Sequence, residues 1–344
     1  MDFSDASQEL RELLERFFND TVTSEYRRSR IHSPQGTDSG FEDQLSELGL
    51  AEYFSQDSHR LQVVELCLLA YLCGKHLVPA PLGEKILTQC LLPKISPEVS
   101  SLISKANIGV GFPRCCSLKR NGKKTPTLSG EISWAINCTD ATVIVAIINE
   151  DSGPRVVLIP VEQKVVSSTA HTSFDLTTNV HTIKLEKASF TALSDNASGQ
   201  FLNILASMKA NEIAGSCESV LAMTVDYVKT RKQFNRPVGS FQAVQQQIAN
   251  AYVNFESIRS LSAFAGWTAD NSVEQFDLTS LAAITAATKH GPQICETAIQ
   301  CHGGIGFTWE YDLHLFLRRV RLLTSAFELS LQEARKMLSL ARAI

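Results

Sequence analysis

Through the first hundred residues apolar positions recur three and four apart: Leu10, Leu13, Leu14, Phe17 and Phe18 make one stripe, and Val63, Leu66, Ala70 and Gly74 another. This period predicts amphipathic helices, the second stopped by Pro79 and Pro81. Between them, Ser29 to Gly40 is polar and contains Pro34, Gly36 and Gly40, which predicts an exposed loop. The texture changes near residue 105. Thr142 to Ile148 is a short apolar run, Val156 to Ile159 is a second one ended by Pro160, and Ile183 and Leu185 alternate with Thr182, Lys184 and Glu186. Short runs and two-residue alternation predict strands, and Asn121-Gly122 and Asp151-Ser152-Gly153-Pro154 supply turns between them. A compact β barrel or sandwich is expected.

From Gln200 the helical period returns and is sustained. Ile213, Cys217, Leu221, Val225 and Val228 keep it, as do Val244, Ile248, Ala251, Phe255 and Ile258, and Leu281 to Ala298 is rich in small helix formers. A four-helix bundle is the natural packing. The reading is an α+β multidomain chain: an N-terminal helical domain (1–104), a middle β domain (105–195) and a C-terminal helical bundle (196–344). At 344 residues the chain is long enough for two or three cores.

Charge removes some functions from consideration. A formal net charge of −4 gives no general attraction for nucleic acid or anionic lipid. No apolar stretch approaches the roughly eighteen residues that span a bilayer, and Met1 to Asp20 reads as neither a secretory nor a transit segment. Nine cysteines without a C-x-x-C pair indicate neither a disulfide framework nor a zinc site. A cytoplasmic location is expected.

The candidate chemistry sits in two segments. Arg231-Lys232-Gln233-Phe234, followed by Pro237, Gly239 and Phe241-Gln242, closes one long helix and opens the next. Gln300-Cys301-His302-Gly303-Gly304-Ile305-Gly306-Phe307 follows some sixty residues later, with Glu310 and Arg318-Arg319 beyond it. An Arg fork suits phosphate oxygens, Phe234 can cover a ring or ribose, Gln242 and Gln300 can read polar edges, and paired glycines let backbone approach a ligand. The first segment resembles the R-x-x-F-G…Q segment of acyl-CoA dehydrogenases, and the second resembles their Q-x-x-G-G-x-G-F…E…R-D segment. The resemblance covers the chain in domain order and is strong from Asn211 to Arg319. It implies FAD as cofactor, with Arg231, Gln233, Phe234, Val238, Phe241, Gln242, Gln300, Gly303 and Gly304 reaching across a subunit interface to the ADP half of a neighbour's FAD. It also implies an acyl-CoA substrate and electron-transfer flavoprotein as electron acceptor.

Other family positions depart from the pattern. Where the family carries a loop like T-E-P-G-x-G-S-D, this chain reads Gly109 to Ser117 and retains only Pro113 and Ser117. In the strand resembling G-x-K-x-W-I-T, Trp134 is kept, as a core tryptophan, but the hydroxyl expected at flavin N5 is replaced by Ile136, which can neither donate nor accept. The two places where the family keeps its catalytic glutamate hold Phe327 and Leu205. Glu328, one residue on, is the remaining candidate base, against the alternative of a solvated carboxylate at a helix start. His302 is read as capping a turn, and Cys115-Cys116 as small half-buried residues. The groups a subunit lends to its neighbour are present, and those it needs for its own flavin and base are eroded. This pattern resembles the short subunits of α2β2 acyl-CoA dehydrogenases of bacterial steroid side-chain degradation, whose partner is a paralogous catalytic subunit. A homotetramer of this chain and a flavin-free scaffold are the alternatives.

Overall fold

The structure, a computed structural model, describes residues 5–31, 38–56, 61–104, 106–112, 116–122, 126–150, 153–162 and 165–327. Pro113, Cys115 and Glu328 lie outside them. The order is α1 (Asp5–Thr21), α2 (Ser24–Ile31), α3 (Ser39–Glu47), α4 (Leu50–Ser55), α5 (Val63–Lys75), α6 (Leu82–Ile86), α7 (Leu92–Ile95) and α8 (Ser100–Ile103), then β1 (Ile108–Gly111), β2 (Cys116–Asn121), β3 (Thr127–Ile136), β4 (Val143–Glu150), β5 (Gly153–Pro160), β6 (Val166–His171), β7 (Val180–Ala188) and β8 (Thr191–Ala192). There follow α9 (Asp195–Thr230), β9 (Lys232–Gln233), β10 (Arg236–Pro237), α10 (Gln242–Asn271), α11 (Val273–His302) and α12 (Leu313–Phe327). The chain divides into two compact units, one of Met1–Ser29, Val63–Val78 and Ala206–Ile344, the other of Arg30–Gln62 and Pro79–Leu205.

The second unit holds the curled sheet, in the order β6-β7-β3-β1-β4-β5-β8 with β2 also on β3. The expected barrel or sandwich is this single sheet. Among the described residues only β1 and β4 run parallel, in register at Ile108↔Val143 and Val110↔Val145. Val143 to Ile148 are all buried, so this strand reads as a continuous apolar run, while β7 keeps partial alternation. Leu128, Ile132, Ile144, Ala146, Val157, Ile159 and Ile183 share one core. The register shifts between Ile132 and Ala135, and the alternation of β3 breaks there. Trp134 is consequently only half-buried, not the core tryptophan expected. At Gly130 the backbone has φ +137°, and a Cβ would meet the Ser117 carbonyl oxygen at 2.2 Å. Only glycine fits that bulge.

The first unit contains both sequence stripes: Leu10, Leu14 and Phe18 on α1, and nearly the whole of α5, are buried. Helices α5 and α9 cross with their backbones almost touching. A Cβ on Gly74 would lie 1.9 Å from the Glu212 carbonyl oxygen, and one on Gly215 would lie 1.8 Å from that of Tyr71. Helices α9 to α12 supply the expected bundle. Of the loop expected from Ser29 to Gly40, residues 32–37 lie outside the described residues, while α2 extends to Ile31 and α3 opens at Ser39 with the Asp38 carboxylate accepting from the Gly40 N–H. Helix α2 buries no residue. It is anchored instead by Arg27 and Arg28, both donating to Asp312 at 2.8 Å, which is why apolar periodicity did not reveal it.

Candidate functional site

Helix α9 ends where the Arg231 N–H donates to the Tyr227 carbonyl at 2.8 Å, and the Arg231 carbonyl accepts from the Val238 N–H at 2.8 Å. Between these bonds β9 and β10 form a minimal hairpin with Gln233 opposite Arg236 and Lys232 opposite Pro237. Its two turn residues, Phe234 and Asn235, have φ of +51° and +61°, the sign both central residues of a type I′ turn require. Asparagine tolerates this region, whereas phenylalanine is strained there. The Phe234 side chain is nevertheless 87% exposed. Its ring stands edge-on to Phe241, centroids 6.1 Å apart at 83°, and the Arg236 guanidinium lies over the Phe241 ring at 4.0 Å. Arg231, Lys232 and Arg236 are all exposed and form no ion pair among the described residues. Gln242, exposed, opens α10 directly after Phe241.

The second segment ends α11. Gly303 caps the helix, its N–H donating to the Gln300 and Ile299 carbonyls, with φ +65° and ψ −144°. That conformation explains the glycine. Gly306 is explained by packing, since a Cβ would meet the Ile299 carbonyl oxygen at 3.3 Å. Gly304 has neither reason: its φ is ordinary and a Cβ there would meet nothing within 4 Å. The space over Gly304 is of no use to this chain by itself and suits a close-approaching ligand.

The fold brings the two segments together. Tyr227, one turn before Arg231, stacks on His302 at 4.4 Å and donates from its hydroxyl to the His302 carbonyl at 3.3 Å. Cys301 lies 3.7 Å from Gln247 on α10. His302 therefore does more than cap a turn. Its Nδ1 is 2.7 Å from the Ala298 carbonyl oxygen, which can only accept, so Nδ1 carries the proton. Burial pushes the His302 pKa below the usual value and outweighs the opposing effect of that bond, keeping the ring neutral inside an aromatic stack completed by Tyr311 at 5.1 Å. Sequence reasoning missed Tyr227 and Arg236. Tyr227 lies one helical turn before Arg231, and Arg236 two residues after an exposed aromatic, but neither spacing is distinctive without the hairpin register.

Beyond the glycines, Glu310 is exposed. Arg319, by contrast, is buried, donating to Glu212 at 2.8 Å and to the Val78 carbonyl at 3.2 Å. Lys209 reaches the other Glu212 oxygen at 2.5 Å. Burial disfavours the Glu212 carboxylate, but the two cations outweigh it and hold its pKa below the ordinary value. At Asp312 burial likewise opposes ionisation, and the bonds from Arg27, Ser24 and Arg28 again lower the pKa.

The eroded positions are apolar core. Ile136 is 3% exposed, paired with Val110 and Val180, and Leu205 and Phe327 are buried. Cys116 is half-buried, its thiol pushed up to about 11 by burial. A groove of about 820 Å³ in the first unit, lined among others by Tyr71, Glu218, Val225, Tyr252, Phe255 and Arg259, contains none of the candidate site residues. No group of His, Cys, Asp or Glu suited to a metal occurs among the described residues, and no described helix is long and apolar enough to cross a membrane.

Helices, a curled sheet and a helical bundle, in that order, make the acyl-CoA dehydrogenase fold. The structure of the ChsE4-ChsE5 complex from Mycobacterium tuberculosis shares it at a TM-score of 0.83 and 22% identity, over 100% of both chains. A Tcur3481-Tcur3483 steroid ACAD variant does so at 0.84 and 20%, over 98% of both. Residues 197–327 match the model of the acyl-CoA dehydrogenase C-terminal domain. Acyl-CoA dehydrogenase IpdE2 of Mycobacterium tuberculosis is 40% identical over 112 residues, 32% of this chain and 33% of that protein. The chain spans about a third of the length of the first curated relatives it matches.

Proposed function

We propose that this chain is the cofactor-completing subunit of an FAD-dependent acyl-CoA dehydrogenase. The observation that carries the proposal is an exposed shelf without internal purpose: three cations with no ion pair among the described residues, a strained exposed phenylalanine and a glycine whose missing Cβ nothing in the chain requires. Arg231 would fork onto the pyrophosphate of an FAD held by a partner, Gln233 and Val238 would flank it, and Phe234 with Phe241 would cover its adenosine. Gly303 and Gly304 would admit it close to backbone, while Gln242 and Gln300 meet its polar edges. FAD when bound supplies the acceptor for the β-hydride as an acyl-CoA becomes its 2,3-enoyl form, and electrons then pass to electron-transfer flavoprotein.

The partner is a paralogous catalytic subunit in an α2β2 assembly. Ile136, Leu205 and Phe327 support this division, because apolar buried side chains offer no hydroxyl to a flavin and no base to a thioester. Relatives whose names include a steroid ACAD and a ChsE4-ChsE5 complex favour a steroid-derived acyl-CoA and a heteromer. The three-domain division at residues 104 and 195 and a cytoplasmic location belong to the same reading. Flavin content tests it. The chain purified alone should carry little FAD, and the assembly about one FAD per pair of unlike chains, since one of two interface sites is complete. A yellow homotetramer with one flavin per chain would overturn it.

A further inference from the structure

We infer that Arg236 is a positioning residue for an adenine nucleotide, acting through Phe241. The inference rests on the cofactor-lending reading and adds to it a residue that the resemblance does not supply. Arg236 is exposed and has no ion-pair partner among the described residues, yet its guanidinium sits 4.0 Å from the Phe241 ring centroid. A planar cation held over a ring face is attracted by the ring's negative quadrupole, and its in-plane N–H groups stay solvated.

The pairing fixes a ring that otherwise has little to hold it. Phe241 is the residue before α10, extended at φ −81° and ψ 128°, and only partly buried. With Arg236 covering one face, Phe241 stands edge-on to Phe234 at 83°. The two rings form a right-angled corner open to solvent. One wall is anchored by the cation, and the other by the turn at Phe234 and Asn235, whose positive φ values leave the hairpin few alternatives. A corner of this kind suits a flat heteroaromatic base, which can stack on one ring while its edge meets the other. The neighbouring Arg231 and Lys232 suit the phosphates that follow the base. Arg236 would thus spend its charge on the ring and leave the phosphate to Arg231, although both arginines lie on the same short hairpin.

ADP titrated into the purified chain, followed by ligand-observed NMR, tests this. Arg236→Gln should weaken ADP binding by about 2- to 30-fold, the range of a cation–π contact. Arg236→Lys should restore most of the loss, and the melting temperature should stay within about 2 °C, because the pair is exposed. In a Phe241→Leu background Arg236→Gln should have almost no further effect, and adenosine, which lacks phosphate, should show the same pattern as ADP. If Arg236→Gln weakens ADP equally with and without Phe241, or spares adenosine, the arginine contacts phosphate directly and the positioning role is wrong. If Arg236→Gln is silent while Arg231→Ala abolishes binding, the positioning role falls and the cofactor-lending reading stands. If the wild-type chain binds no ADP, the positioning role falls, and the cofactor-lending reading is decided by the FAD content of the assembly.

Discussion

Arg231 and Arg319 belong to one compact unit and both fall within segments that resemble the family's motifs, but the structure uses them in opposite ways. Arg319 is buried at the α5–α9 crossing, where Glu212, Lys209 and the Val78 carbonyl surround it and two glycines bring backbones together. Arg231 stands at the open end of α9 with its charge in solvent. Motif residues thus come in two kinds, those their own chain consumes and those it leaves over. Under the proposed function, the second kind is the surface the chain offers to a ligand, and the strained, exposed Phe234 is the feature that motivates the assignment.

The comparison can be broken at the buried end first. Glu212→Gln would leave Lys209 and Arg319 buried against a neutral amide and should cost about 3–5 kcal/mol, measured by urea unfolding at neutral pH. Because the Glu212 pKa is depressed in the folded protein, its contribution is complete above the unfolded carboxylate value and is lost as pH falls through the depressed one. The gap between wild type and variant should therefore shrink in acid. A gap that widens as pH falls would mean that Glu212 does not stabilise as the anion. Gly215→Ala should cost roughly 3 kcal/mol, because a Cβ at 1.8 Å from the Tyr71 carbonyl oxygen forces two helices apart. A thermal melt within a degree or two of wild type would contradict the crossing.

At the open end the sign reverses, with stability unaffected and binding impaired. Arg231→Ala should leave unfolding within about 0.5 kcal/mol of wild type and weaken FAD in the assembly by one to two decades, as roughly 1.5–3 kcal/mol for a charged hydrogen bond implies. Arg231→Lys should recover only part, since a point charge cannot reproduce the fork. An unchanged FAD dissociation constant would remove Arg231 from the surface. The smallest effect is expected for Glu328→Gln. If the base belongs to the partner, stopped-flow reduction of the assembly's flavin by acyl-CoA should stay within a few-fold of wild type. A fall of about a hundredfold, the low end for loss of a general base, would return catalysis to this chain.

Much of this was legible in the sequence, for a reason specific to each part. The stripes of α1 and α5 and the bundle helices follow from a 3.6-residue period, and the buried stretch Val143 to Ile148 within the run that opens at Thr142 from a strand covered on both faces. Helix α2 was not legible, because ion pairs to a residue nearly three hundred positions away hold it. Trp134 was misjudged because a register shift cannot be read from alternation alone. In the site, Arg231, Phe234 and Gly303 to Gly304 were visible as motifs. The Tyr227–His302 stack that joins the segments and the Arg236–Phe241 pair depend on geometry that residue spacing does not carry.

The two outer strands of the sheet have a consequence for handling the isolated chain. An open edge offers unpaired N–H and C=O groups as a template for strand addition, the usual route to ordered aggregates. Here β8 at one end is two residues long, and β6 at the other exposes Ser167 to His171, none of them strongly apolar. Neither edge is a good template. Under the proposed function, precipitation of the chain made without a partner should not begin at either of these two strands. Phe234, Ile305, Phe307 and Trp309 are among the exposed large apolar side chains, and under the proposed function a solubilising substitution at Phe234 would also remove part of the cofactor-lending surface.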